Sequence, residues 1–240
     1  MEKFKKRIIG CICLKKDIAV QSIGFKKYLP IGNPLTIAKN LQNWNVDEIL
    51  IMNISPINKI NYEFVEKLTS EINIPIQYSG SITSLSDAKK LISMGIDKVV
   101  LRSILDIKQI DKIKLIQSHL GKQSLVGSLP IGEIDKKFYL YDCKNRIPSK
   151  INQKLIEHTQ TLSELFSEMI IIDFINDGKK KYNEKLLNIF NFNCNIIPFG
   201  GLINKYQIKK LLSRNNIHAI GIGNSLSFKE NSVTFIKNYI

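Results

Sequence analysis

Lys89-Lys90-Leu91-Ile92-Ser93 returns 120 residues later as Lys209-Lys210-Leu211-Leu212-Ser213, and 120 is half of this 240-residue chain. The copies extend beyond these five residues. Tyr78-Ser79-Gly80-Ser81-Ile82 answers Pro198-Phe199-Gly200-Gly201-Leu202, and residues 99–103 answer 220–224 within one residue. Each copy reads as an apolar run, a glycine turn, a helical segment and a β-branched run, which is the building block of parallel α/β folds. Two tandem halves of this kind predict a (βα)8 TIM barrel with a two-fold half-barrel repeat, a fold of about 250 residues. A doubly wound open sheet is the alternative, but a half-length repeat favours closure. We expect one barrel domain over residues 1–240.

The remaining segments fit eight alternations. Strands are expected at residues 7–14, 49–54, 74–78, 99–101, 124–129, 169–174, 195–198 and 218–223. Asn33-Pro34 has the cap and first-turn chemistry of a helix start. Further helices are expected at 62–72, 85–94, 107–120, 151–166, 182–190, 205–213 and 229–239, with a hairpin excursion over 132–148. Pro130 is expected to close the fifth strand.

The net charge of +14 suits nucleic acid or an anionic small substrate. The lysines are spread along the chain without an Arg-rich block or interleaved aromatics, which argues against nucleic acid. No apolar run approaches the roughly 18 residues of a membrane span, and the basic start is not followed by a signal-peptide core. We expect a cytoplasmic protein. Cys11, Cys13, Cys143 and Cys194 form no CxxC pair, so reduced thiols are expected, with neither a metal site nor a cofactor.

In barrels the loops after the strands build the active face. Glycines there let backbone N–H groups approach a phosphate at the start of the next helix. Two candidate phosphate sites are related by the repeat: Gly80, Ser81, Arg102 and Ser103, and Gly200, Gly201, Gly223, Asn224 and Ser225. Two such sites suit a substrate with an anionic group at each end. The Gly201 loop is expected outside the core, so a bulky residue there should spare the fold.

Lys6-Arg7-Ile8-Ile9-Gly10-Cys11, Gly32-Asn33-Pro34, Asp47-Glu48-Ile49-Leu50-Ile51, Gly80-Ser81-Ile82, Asp97-Lys98-Val99, Asp177-Gly178 and Gly200-Gly201 fall in register with one family. The chain resembles the cyclase subunit of imidazole glycerol phosphate synthase over nearly its whole length. The resemblance implies a barrel that receives ammonia from a glutaminase subunit on its N-terminal face, as a heterodimer. Ammonia would cross the core to a phosphorylated substrate on the opposite face, without nucleic acid or membrane.

The departures from that family are specific. The family's first-strand catalytic aspartate falls at Cys13, its fifth-strand aspartate at Pro130, and a second-strand acid at Asn53. General acid–base chemistry needs groups that move protons, and Pro130 cannot. Cys13 and Asp177 remain the catalytic candidates. At the other end all four charges of the family's ammonia gate match: Arg7, Glu48, Lys98 and Glu168. Leu14-Lys15-Lys16, residues 20–25 and Lys26-Lys27-Tyr28 further resemble cyclase-like paralogues found with sugar amidotransferases. These similarities imply an ammonia-receiving subunit in surface-polysaccharide sugar amidation. An authentic histidine-pathway cyclase and a non-catalytic barrel that activates a glutaminase are the alternatives.

Overall fold

The computed structural model describes residues 6–55, 59–102, 110–143, 145–179, 181–223, 225–226 and 232–238. The chain begins with β1 (Arg7–Lys15), folds back through β2 (Ile18–Ile23) and β3 (Lys27–Gly32), and enters α1 (Pro34–Asn43). Then come β4 (Glu48–Asn53), α2 (Tyr62–Glu71), β5 (Ile76–Ser79), α3 (Leu85–Ser93), β6 (Lys98–Leu101) and α4 (Ile110–Leu120). The second half repeats the plan: β7 (Leu125–Ile134), β8 (Lys137–Asp142), β9 (Ile147–Lys150), α5 (Gln153–Ser163), β10 (Glu168–Asp173), a 3-10 turn (Glu184–Asn188), β11 (Asn195–Phe199), α6 (Lys205–Leu212), β12 (Ala219–Ile222) and α7 (Ser232–Lys237).

Eight parallel strands form the (βα)8 barrel in the order β12-β1-β4-β5-β6-β7-β10-β11. Between β11 and β12 no ladder is formed among the described residues. The two meet through the Ile196 N–H, which donates to the Asn216 carbonyl (2.8 Å), and through Phe199. A Cβ on Gly221 would stand only 3.0 Å from the Phe199 ring. Side chains alternate along each strand. Ile8, Ile12 and Leu14 of β1 face the helices, while Ile9 and Cys11 face an inner cluster with Leu50, Val100, Val126, Ile170 and Ile197.

The repeat reaches into turn geometry. Gly80 (φ +105°) and Ser81 (φ +60°) correspond to Gly200 (φ +99°) and Gly201 (φ +83°). A Cβ would lie 2.1 Å from the Asn53 carbonyl oxygen at Gly80 and 2.7 Å from that of Asp173 at Gly200. Both glycines are therefore required by left-handed backbone and by close approach to the end of the preceding barrel strand. Each half also opens with a long strand that turns back antiparallel. Lys16 (φ +51°) and Asp17 (φ +61°) join β1 to β2, and Asp135 (φ +48°) and Lys136 (φ +60°) join β7 to β8. Two consecutive positive φ values are the signature of the type I′ hairpin turn.

Three sequence expectations need correction. The fifth strand does not stop at Pro130 but runs through it to Ile134. The β6 ladder ends at Gly127 and the β8 ladder starts at Ile131, so on that flank no partner requires the missing N–H. The helix expected at 182–190 is a 3-10 turn. Its apolar spacing is real, since Tyr182, Leu186, Leu187 and Phe190 are buried. However, Asp173 takes the Asn183 N–H (2.9 Å) and Gln207 takes the Tyr182 N–H (3.2 Å), so neighbours fix the backbone that a helix would need. The hairpin strands β2 and β3 were not foreseen. The helices expected at 107–120 and 229–239 lie partly outside the described residues. Among the described residues no helix is long and apolar enough to cross a membrane.

Candidate functional site

The N-terminal mouth carries a closed ring of charge. Arg7 starts β1, Glu48 β4, Lys98 β6 and Glu168 β10, so the four come from strands that mostly are not neighbours. Their side chains can meet only across the barrel axis. Arg7 bonds Glu48 through Nη1 and Glu168 through Nη2. Lys98 Nζ lies 2.7 Å from Glu168 and 4.0 Å from Glu48. Both carboxylates are buried, while Arg7 and Lys98 keep about a fifth of their side-chain surface in solvent (22% and 21%). Burial pushes the Glu168 carboxyl up, but Arg7 and Lys98 together hold it below the usual range. A fifth member is Gln77 of β5, fully buried, whose Nε2 donates to Glu48 Oε2 (2.6 Å). Its Oε1 has no hydrogen-bond partner among the described residues. A neutral amide inside an apolar strand gave no sequence signal for this role.

At the C-terminal end lies a cleft of about 420 Å³. Cys13, Asn53, Pro130 and Asp177 all line it, as do Arg102, Ser79 and Phe199. The three positions at which the resemblance implies acids, Cys13, Asn53 and Pro130, thus share the wall of one cavity. The cleft is roofed by the two hairpins. Phe25, in the β2–β3 turn, packs edge-on against Tyr141 of β8 (5.3 Å between centroids), and Tyr141 against Phe174 (5.1 Å). The Gly24 N–H donates to the Asp177 carbonyl (2.9 Å). A Cβ on Gly178 would meet the Ser22 carbonyl oxygen at 2.6 Å. The loop after β10 is thus tied to the roof.

Asp177 is the carboxylate of this cleft. It is 5% exposed, and its Oδ2 has no hydrogen-bond partner among the described residues. Burial raises its pKa to about 6, against the opposing pull of Ser22 and the Phe25 and Gly178 N–H groups. Burial also pushes the Cys13 thiol well up, and the Asp177 charge adds to it, so Cys13 stays a neutral thiol at physiological pH. Asp177 is then the group in the cleft poised to gain or lose a proton near neutrality. Neighbouring Asp173 is structural: it accepts from the Asn176 N–H and side chain (3.1 and 2.7 Å) and from the Asn183 N–H (2.9 Å), folding the loop that carries Asp177.

Of the candidate phosphate residues, Arg102 lines the cleft. Gly80 and Ser81 directly follow the lining residue Ser79, and Gly200 and Gly201 follow Phe199, whereas Gly223 and Ser225 come after β12 and do not line the cleft. Ser103 and Asn224 lie outside the described residues. A Cβ on Gly201 would fall 2.8 Å from the carbonyl oxygens of both Asn176 and Lys181. A bulky residue there would therefore disturb the fold, contrary to the sequence expectation, because the loop packs against the backbone of Asn176 and Lys181. Among the described residues no group of three His, Cys, Asp or Glu side chains is placed to hold a metal ion.

With this geometry in hand, comparison with known proteins is decisive. The family model described as histidine biosynthesis protein matches residues 7–232. The chain belongs to the histidine-biosynthesis protein family. It is similar to a putative imidazole glycerol phosphate synthase subunit hisF2 of Campylobacter jejuni, at 30% identity over 203 residues, covering 82% of this chain and 80% of the relative. The imidazole glycerol phosphate synthase subunit HisF of Staphylococcus aureus strain Newman is 29% identical over 243 residues, covering 98% and 96%. A putative hisF2 subunit of Vibrio vulnificus is 27% identical over 241 residues, covering 97% and 87%. The chain itself carries the charged ring at one mouth and Asp177 in the cleft at the other, with a thiol, an amide and a proline at Cys13, Asn53 and Pro130.

Proposed function

We propose that the chain is the ammonia-receiving synthase subunit of a glutamine amidotransferase. A glutaminase subunit docks over the ring, and ammonia passes Arg7, Glu48, Lys98 and Glu168. It crosses the apolar interior between Leu50, Val100 and Ile170 and emerges beneath the cleft. There it meets a phosphorylated or nucleotide-sugar acceptor, which would place the protein in surface-polysaccharide sugar amidation. The observation that carries this reading is the pairing of a closed charge ring at one end of the axis with an acid-poor cleft at the other. Such a ring is costly to desolvate and adds little to stability over an apolar plug, so its presence argues for traffic through the mouth. Lys98 holds Glu168 by one contact, whereas Arg7 grips two carboxylates, so Lys98 is the member that opens at least cost. Gln77 Oε1 then offers a buried acceptor to an ammonia N–H.

The relatives' names favour a second reading, an authentic imidazole glycerol phosphate synthase cyclase. Against it stand Pro130, which has no titratable group, and the neutral Cys13 thiol. Each member of an acid–base pair contributes about 10²–10⁴-fold. We therefore expect no measurable turnover of the histidine-pathway substrate when ammonium is supplied directly, and little rescue by Cys13→Asp alone. Turnover by the unaltered protein would establish the cyclase instead. The Gly80 and Gly200 turns remain the candidate sites for an acceptor's phosphates, with Arg102 beside the first.

A further inference from the structure

Three cations line the cleft from separate elements: Lys15 at the end of β1, Arg102 after β6, and Arg146 in the β8–β9 turn. Lys15 Nζ stands 4.2 Å from the centroid of the Tyr28 ring. The Arg146 charge acts on the hydroxyls of both Tyr28 and Tyr141. Burial pushes the Cys143 thiol up, two residues from Tyr141, and the Arg102 charge opposes that rise. Among the described residues no carboxylate pairs with any of the three. Among the described residues, the carboxylate lining the cleft is Asp177.

Arg146 is placed by a built turn. Its N–H donates to the Asp142 carbonyl (2.7 Å), and the Asp142 side chain accepts from the Asn145 N–H (3.1 Å) and Nδ2 (2.6 Å). Arg146 itself sits at φ +60°, a conformation that costs a non-glycine residue and therefore marks a fixed position. Like charges lining one partly enclosed cleft repel one another, and an anion relieves that repulsion while accepting charge-assisted hydrogen bonds.

We propose that Lys15, Arg102 and Arg146 form an anion site for a phosphoester or diphosphate group, which shares Arg102 with the Gly80 turn but is built from side-chain cations rather than loop N–H groups. The acceptor then lies with its anionic end beneath the hairpins and its reacting end toward Asp177, whose buried Oδ2 lacks a partner. The orientation rests on the amidotransferase reading, whereas the anion site itself stands without it.

Calorimetric titration of the full chain with inorganic phosphate, pyrophosphate and uridine diphosphate tests the site. At least one probe should bind, and Arg146→Ala should weaken it about tenfold or more, the worth of one charge-assisted hydrogen bond. Arg146→Lys should retain part of the affinity, since it keeps charge but loses the fork. Lys185→Ala, whose cation pairs with Glu133 outside the cleft, should change nothing. Preference for uridine diphosphate over pyrophosphate would identify a nucleotide-linked acceptor, and equal binding a simple phosphoester; both support the site. No binding by any probe at millimolar concentration would overturn it. So would binding that Arg146→Ala leaves intact, which would reflect only the general positive charge. If anions bind here but no glutaminase associates, the amidotransferase reading fails and the site survives.

Discussion

Glu168→Ala is expected to destabilise the barrel by about 3 kcal/mol, at the lower end of the 3–5 kcal/mol typical of breaking a buried ion pair. The substitution leaves Arg7 and Lys98 sharing Glu48 alone, and Lys98 only at 4.0 Å. Both cations keep some contact with water, which limits the loss. The effect has a pH signature. Glu168 has a lowered pKa in the folded state, so its contribution is present above the unfolded carboxylate value and is lost as pH falls through the folded value. The deficit of Glu168→Ala in urea unfolding should therefore shrink in acid. Replacing Arg7, Glu48, Gln77, Lys98 and Glu168 together by apolar residues of similar volume should cost much less than the single change. A larger loss from the full apolar set would mean that the ring is there for stability, which the proposed traffic through the mouth does not require.

Asp177→Asn should separate stability from activity. The folded pKa of about 6 lies above the reference value of 3.8, so the folded state binds the proton more tightly than the unfolded chain. Stability therefore falls as pH rises from about 4 through 6, and the cost is fully developed above the folded pKa. At about 1.4 kcal/mol per unit the cost reaches up to about 3 kcal/mol. The asparagine variant should match the wild type near pH 4 and exceed it at pH 8 by up to that amount, read from urea midpoints. Ammonium-dependent turnover should fall about 10²–10⁴-fold. A variant that is less stable at pH 8 would show Asp177 to be a structural carboxylate instead.

The half-barrel repeat was legible because its glycines cannot be replaced: Gly80 and Gly200 turn against the carbonyls of Asn53 and Asp173, and no side chain fits there. The ring was legible because the family resemblance singled out Arg7, Glu48, Lys98 and Glu168, each standing at the start of an apolar barrel strand. Gln77 escaped because a neutral amide inside a strand looks like any polar residue, although Glu48 needs it as a donor. The β1–β2–β3 meander escaped because the turn that enters it, between β1 and β2, uses Lys16-Asp17 in left-handed backbone rather than Asn-Gly. Its tertiary anchors, Phe25 on Tyr141 and Gly24 on Asp177, are invisible locally. The short turn over Glu184–Asn188 shows the converse: helical periodicity was present, but bonds from Asp173 and Gln207 overruled it. The same loop hid the packing around Gly201.

The direct test of the account is association with a glutaminase subunit at micromolar concentration, followed by glutamine hydrolysis with and without the barrel. We predict a one-to-one complex in which Lys98→Ala leaves the barrel folded and the partner bound but alters the coupling of hydrolysis to ammonia use. No association at that concentration, or coupling indifferent to Lys98, Arg7 and Glu168 alike, would contradict the ammonia-receiving role.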